Sequence, residues 1–98
     1  MRVHVTGCSE SFNSLVRAYA EYRVFAVLAR HAHVCAARVA LRRSADSATV
    51  VCAVTIDLDS TMKLRARGSA PHAHAAIDRA VARVVDLMRD HEPQQLSS

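Results

Sequence analysis

Residues 35–67 read CAARVALRRSADSATVVCAVTIDLDSTMKLRAR, and their period decides the fold. Cys35, Ala37, Val39 and Leu41 fall on one side of an extended chain, and Ala36, Arg38, Ala40 and Arg42 on the other. Val50, Cys52, Val54, Ile56 and Leu58 alternate in the same way with Thr49, Val51, Ala53, Thr55 and Asp57. Met62, Leu64 and Ala66 then alternate with Lys63, Arg65 and Arg67. Ser44 to Ser47, with Asp46, and Asp59-Ser60-Thr61 supply the turns. Three strands joined by turns this short form an antiparallel meander.

Before the meander, Val3 and Val5 alternate with Arg2, His4 and Thr6, which predicts a short strand ended by Gly7. Ser9 and Ser11 are both suitable N-caps for a helix. From about Phe12 to Arg30 the apolar residues take helical spacing: Leu15, Tyr19, Tyr22 and Ala26 form a stripe widened by Val16, Ala20, Val27 and Leu28. After the meander, Gly68 to Pro71 breaks the pattern. A second helix is expected from about His72 to Asp90, with Ala73, Ala76, Ile77, Ala80, Val81, Val84 and Met88 inward. The expected order is β-α-β-β-β-α, an α+β two-layer sandwich with a four-stranded sheet and both helices packed on one face. Residues 1–92 form a single domain in this reading, and 93–98 a disordered polar tail.

The composition limits what such a domain can do. Half of the 98 residues are hydrophobic, but only two Phe, two Tyr and no Trp are present, so the core rests on Val, Leu, Ile and Ala. A domain of this size leaves room for a monomer or a weak homo-oligomer. The net charge is +4, and it is concentrated: residues 1–43 carry seven Arg against Glu10 and Glu21. A basic half attracts phosphates. The three cysteines, Cys8, Cys35 and Cys52, form no C-x-x-C pair and read as small apolar residues of a reducing compartment. There is no secretory h-region and no run long enough to span a bilayer, so a cytoplasmic protein with no membrane partner is expected.

Catalytic constellations are missing. Asp57 and Asp59 share a strand face but have no third oxygen ligand. His31 with His33, and His72 with His74, have a metal-like spacing but no Cys or carboxylate partner at a zinc-site distance. Cys8 stands before a helix, where a thiol pKa can fall, yet a structural cysteine is the simpler reading. No nucleophile elbow, P-loop or dinucleotide glycine pattern occurs. No enzyme, no metal and no cofactor are expected.

The element order and several short strings resemble one family. Val5-Thr6-Gly7 closing the first strand, Leu15, Arg17 and Tyr19 in the first helix, the strand reaching Leu41, and Ala75-Ala76-Ile77-Asp78 opening the last helix carry the likeness over about residues 2–92. The chain resembles the ribosome hibernation-promoting factors, also called ribosome-associated inhibitors or sigma-54 modulation proteins, in their short form without the C-terminal dimerisation domain. The resemblance implies a non-enzymatic translation inhibitor of bacterial stress that binds the small ribosomal subunit through its ribosomal RNA. It also implies that helix arginines touch that RNA: Arg17, Arg23 and Arg30 in the first helix and Arg83 in the second, with Arg79 and Arg89 nearby. The chain departs from the family pattern at Asp86, Asp90 and Glu92, which replace basic residues, and at His72 and His74, which stand where an acidic and an aromatic residue are usual.

Strand alternation offers a second basic surface on the open sheet face: Arg38, Arg42, Lys63, Arg65 and Arg67, beside Arg2 and His4. The sequence reading prefers the first helix, because Arg23 and Arg30 are seven apart and share a face. The alternative function is a protein-interaction or assembly module that keeps the fold and has lost ribosome binding.

Overall fold

The computed structural model describes residues 2–7, 14–31, 34–45, 48–58 and 62–96, with side chains described as far as Arg89. The elements are β1 (Arg2–Gly7), α1 (Ser14–Leu28), β2 (Val34–Arg43), β3 (Val50–Leu58), β4 (Lys63–Ala70) and α2 (Ala73–Leu96). They form one four-stranded sheet in the order β1-β2-β3-β4. The β2–β3–β4 part is the antiparallel meander, and β1 pairs parallel to β2, so α1 is a crossover connection. The β2–β3 hairpin is closed by Ser44 N–H to the Thr49 carbonyl at 2.8 Å and by Thr49 N–H to Ser44 Oγ at 3.3 Å. The β3–β4 hairpin is closed by Leu58 N–H to the Met62 carbonyl at 2.9 Å. Ser9, Ser11, Cys8, His33 and Asp59 lie outside the described residues.

Both helices cover one face of the sheet. That face presents Ala37, Val39, Leu41, Val50, Cys52, Val54, Ile56, Ala66 and Ala70, all buried. α2 covers it with Ala76, Ile77, Ala80, Val81, Val84 and Met88, the stripe the sequence predicts. The two-layer α+β expectation holds.

Four local features differ from the sequence reading. A register shift between Val34 and Ala36 places a bulge at the start of β2, so Val34 is buried and Cys35 is exposed rather than inward. α1 is turned from its expected face: Ala20, Val24 and Leu28 are buried, whereas Leu15 and Tyr22 are 74% and 69% exposed and Ala26 is exposed. The helix is apolar on nearly every side, so its periodicity could not settle which side faces the sheet. The strand β4 does not break at Gly68 but runs on to Ala70. Finally, the helix α2 continues past Asp90 and through Pro93 to Leu96. Pro93 has no N–H to give to the helix ladder, yet the helix runs on past it.

Gly68 explains why α2 sits where it does. It pairs with Cys52 from the edge strand β4, and α2 passes directly over it. A Cβ built at this position would lie 2.4 Å from Ala80 N, 2.7 Å from Ala76 O and 2.8 Å from the Arg79 carbonyl carbon. All three are helix backbone atoms that cannot swing aside. Ala66 and Ala70 on the strand and Ala76 and Ala80 on the helix keep the rest of the contact equally thin.

Two measurements test these points. Gly68→Ala should lower the unfolding free energy by about 2 kcal/mol or more, the cost of overpacking a rigid contact, as read from urea denaturation. A thiol reagent applied to the native protein should modify Cys35 and spare Cys52, which is buried and whose thiol is pushed up to about 12 by that burial. Peptide mass mapping reads the result, and equal labelling of the two would contradict the bulge.

Candidate nucleic-acid interface

The two helices are joined by a polar latch built around Asp78, the last residue of the Ala75-Ala76-Ile77-Asp78 string. Tyr19 Oη donates to Asp78 Oδ1 at 2.7 Å, and Arg23 Nε donates to the same oxygen at 3.1 Å. The His74 ring packs against Tyr19 with centroids 4.4 Å apart and a 50° tilt. Spacing explains the grouping: Tyr19 and Arg23 are one turn apart on α1, and His74 and Asp78 one turn apart on α2. The hydrogen bond to Asp78 holds the Tyr19 hydroxyl above its ordinary pKa, helped by burial and by the Asp78 charge and opposed by Arg23. Arg23 is therefore occupied by a structural partner and is not a bare cation on the helix surface.

The other arginines divide between three places. Arg17 and Arg30 are exposed on α1 and in the turn that follows it. Arg38 and Arg42 are exposed on the open face of the sheet. There the register aligns His4, Arg38, Thr55 and Arg65 in one row across all four strands. The next row holds Arg2, Ala36, Asp57 and Lys63. Asp57 tempers this part of the face: Arg38 and Lys63 each approach one of its oxygens at 3.9 Å.

The third place is the β4 edge, where α2 overhangs the sheet. Arg65, Ala66 and Arg67 from β4 and Arg83, Asp86 and Leu87 from α2 line one open groove of about 570 Å³. Arg79, one turn before Arg83, donates from Nη1 to the Ser69 carbonyl at 2.6 Å and so covers part of the strand edge. Arg89 is exposed further along α2. The sequence treated Arg65 and Arg67 as one surface and Arg83 as another; the edge position of β4 brings them together. Asp86 is the acidic residue in this groove, and the side chains of Asp90 and Glu92 lie outside the described ones.

Among the described residues, no three His, Cys, Asp or Glu side chains gather as metal ligands. No described helix is long and apolar enough to cross a membrane. What the arrangement can do chemically is hold phosphates, through planar guanidinium forks that each donate two parallel hydrogen bonds.

The family model described as sigma 54 modulation protein / S30EA ribosomal protein matches residues 3–95. The chain belongs to this family. It is a family of non-enzymatic proteins. No curated protein sequence matches the chain. Among solved structures, a ribosomal subunit interface protein from Coxiella burnetii shares the fold with a TM-score of 0.83 at 9% identity, covering 95% of this chain and 99% of that one. The N-terminal domain of Protein Y from Thermus thermophilus aligns with a TM-score of 0.66 at 23% identity, covering 85% and 87% of the two chains. Within this sigma 54 modulation / S30EA member, Asp78 at the end of that string is thus the acceptor of a helix-to-helix latch. His74, one residue before that string, adds a ring contact with Tyr19.

The latch sets a pH dependence. Tyr19 has a folded-state pKa raised above its unfolded value of about 10, so its contribution is complete below pH 10 and is lost as pH rises through the folded value. Stability measured by denaturation should fall above pH 10, and fall less steeply in Tyr19→Phe. Arg23→Glu should destabilise more than Arg23→Gln, because it sets a second carboxylate against Asp78; an equal effect of the two would mean the pair carries no electrostatic weight.

Proposed function

We propose that this protein is a ribosome-associated translation inhibitor of the cytoplasm that binds small-subunit ribosomal RNA, with the α2–β4 groove at the centre of its footprint. One observation carries the placement: Arg65, Arg67 and Arg83, from two separate elements, line a single groove, with Arg79 beside it. Family membership supports the ribosome as the target. The open sheet face continues the basic surface through Arg38, Arg42 and Lys63.

Two physical points favour this groove over the first helix, which the sequence reading preferred. Arg23 already serves Asp78, and the outward side of α1 between Arg17 and Arg30 is apolar. Phosphate gains nothing from an apolar surface, whereas a cluster of arginines on a rigid strand and helix gives a fixed array of donors. The described open face carries no Phe, Tyr or Trp to stack on a splayed base. Recognition is therefore by backbone and helix shape rather than by base identity. Asp86 in the groove weakens contact with phosphate and moves the footprint towards β4.

Co-sedimentation with purified small ribosomal subunits tests this reading. The wild-type chain should pellet with the subunits at low salt, and the logarithm of the affinity should fall with the logarithm of salt with a slope of about −3 if about four phosphates are neutralised. Arg65→Glu combined with Arg67→Glu should weaken binding at least tenfold, about 1.4 kcal/mol, while Arg30→Glu alone should change it far less. Absence of the wild-type chain from the pellet at low salt would overturn the function, and a larger effect from Arg30→Glu would move the site to α1.

A further inference from the structure

We infer that β4 is a phosphate ladder: one nucleic-acid strand of any sequence lies lengthwise along its outward face, one phosphate to each cation. The inference rests on the groove reading above. It extends that reading to a direction, a register and a binding activity that needs no ribosome.

β4 turns Lys63, Arg65, Arg67 and Ser69 outward, all four exposed. Alternate residues of a strand stand about 6.6 Å apart, close to the step between neighbouring phosphates of an extended nucleic-acid strand. Three successive outward positions of β4 thus carry a cation each. Among the described residues, no other line on the open face does so. Along β2, Ala40 separates Arg38 from Arg42. Along β3 the outward residues are Val51, Ala53, Thr55 and Asp57. Across the sheet, no row sets two Lys or Arg on adjacent strands: Thr55 parts Arg38 from Arg65, and Ala36 and Asp57 part Arg2 from Lys63. A polyanion that follows the cations follows β4.

The charges on this line are also the available ones. Arg23 is held by Asp78, Arg38 approaches Asp57, and Arg79 serves the Ser69 carbonyl. Among the described residues, Arg65, Arg67 and Arg83 have no ion-pair or hydrogen-bond partner. Lys63 is shared with Asp57 at 3.9 Å and is the weakest rung. Arg83 adds a donor from the α2 wall of the groove, so the strand is held from two sides. Asp86 on the same wall repels phosphate and keeps it against β4. On the other flank, Val51, Ala53 and Thr55 are neutral, so the line of charge is one strand wide. Phosphate contacts carry no base identity and leave the 2′-hydroxyl unread, so single-stranded RNA and DNA bind alike.

Fluorescence anisotropy of the full chain with labelled 12-nucleotide oligouridylate and oligothymidylate tests this. Both should bind at low salt, with affinities within about threefold of each other. The logarithm of affinity should fall with the logarithm of salt with a slope of about −2.8, four contacts at about 0.7 each on a single strand. Arg65→Gln, Arg67→Gln and Arg83→Gln should each make the slope shallower by about 0.7, and Arg42→Gln should leave it unchanged. Ser69→Arg should add a rung and steepen the slope by about 0.7. All five positions are exposed, so circular dichroism should not change. Failure to bind either oligonucleotide overturns the inference. So does an effect of Arg42→Gln as large as that of Arg67→Gln, which would send the strand across the sheet. A slope indifferent to Ser69→Arg overturns the register, and a preference for RNA or DNA beyond threefold means that the sugar is read and the ladder is wrong. Co-sedimentation decides the ribosome reading separately: a chain that pellets with small subunits but ignores both oligonucleotides keeps that function and loses the ladder.

Discussion

The close approach of α2 to β4 at Gly68 is the constraint on which the remaining geometry depends. Where a helix backbone meets a strand backbone with no side chain between them, the helix can neither rise nor slide without opening a void. Ala66, Ala70, Ala76 and Ala80 keep that contact thin along its length. Everything built on α2 inherits the resulting position. Asp78 is held within reach of Tyr19 and Arg23 on one side, and Arg79 and Arg83 are held over the β4 edge on the other. A glycine that punctuates the sequence thus fixes both the joint between the helices and the basic groove.

Much of the architecture was legible because period-two and helical patterns are strong where one face is apolar and the other is charged. Residues 50–67 and α2 have that contrast, and their inward residues were assigned correctly except Met62, which lies ahead of β4 and is exposed. α1 lacks it: Leu15, Tyr22 and Phe25 are as apolar as Val16, Val24 and Val27, and only tertiary contacts select between the two sides. Cys35 was misplaced for a different reason, since a one-residue bulge reverses facing without leaving a mark on composition. Gly68 was misread because the same residue serves turns and close packing, and only the partner helix distinguishes them.

The candidate site was visible residue by residue but not as a place. Arg65, Arg67, Arg79 and Arg83 were all named from the sequence, in two separate groups. Their meeting is a matter of strand order: β4 is an edge, so its outward arginines share space with the overhanging helix. Arg23 shows the converse. Its helical alignment with Arg30 was read correctly, while its partner Asp78 lies fifty-five residues away and no local pattern links them. The string containing Asp78 was conspicuous in the sequence, but its work inside the fold could be assigned only once Tyr19 and Arg23 were seen around it.

The parallel pairing of β1 has a consequence for the order in which the chain assembles. β2, β3, β4 and α2 are neighbours in sequence as well as in space, and each can dock on its predecessor through short loops. β1 cannot: among the described residues its strand partner is β2, about thirty-four residues downstream, with the whole of α1 between them. Closing that distance costs chain entropy before any ladder bond is gained. β1, made before β2, must therefore wait, unpaired, for a strand made later. The N-terminal edge is the last part of the sheet to zip and the first to open, while the meander and its glycine-docked helix form the cooperative unit that persists.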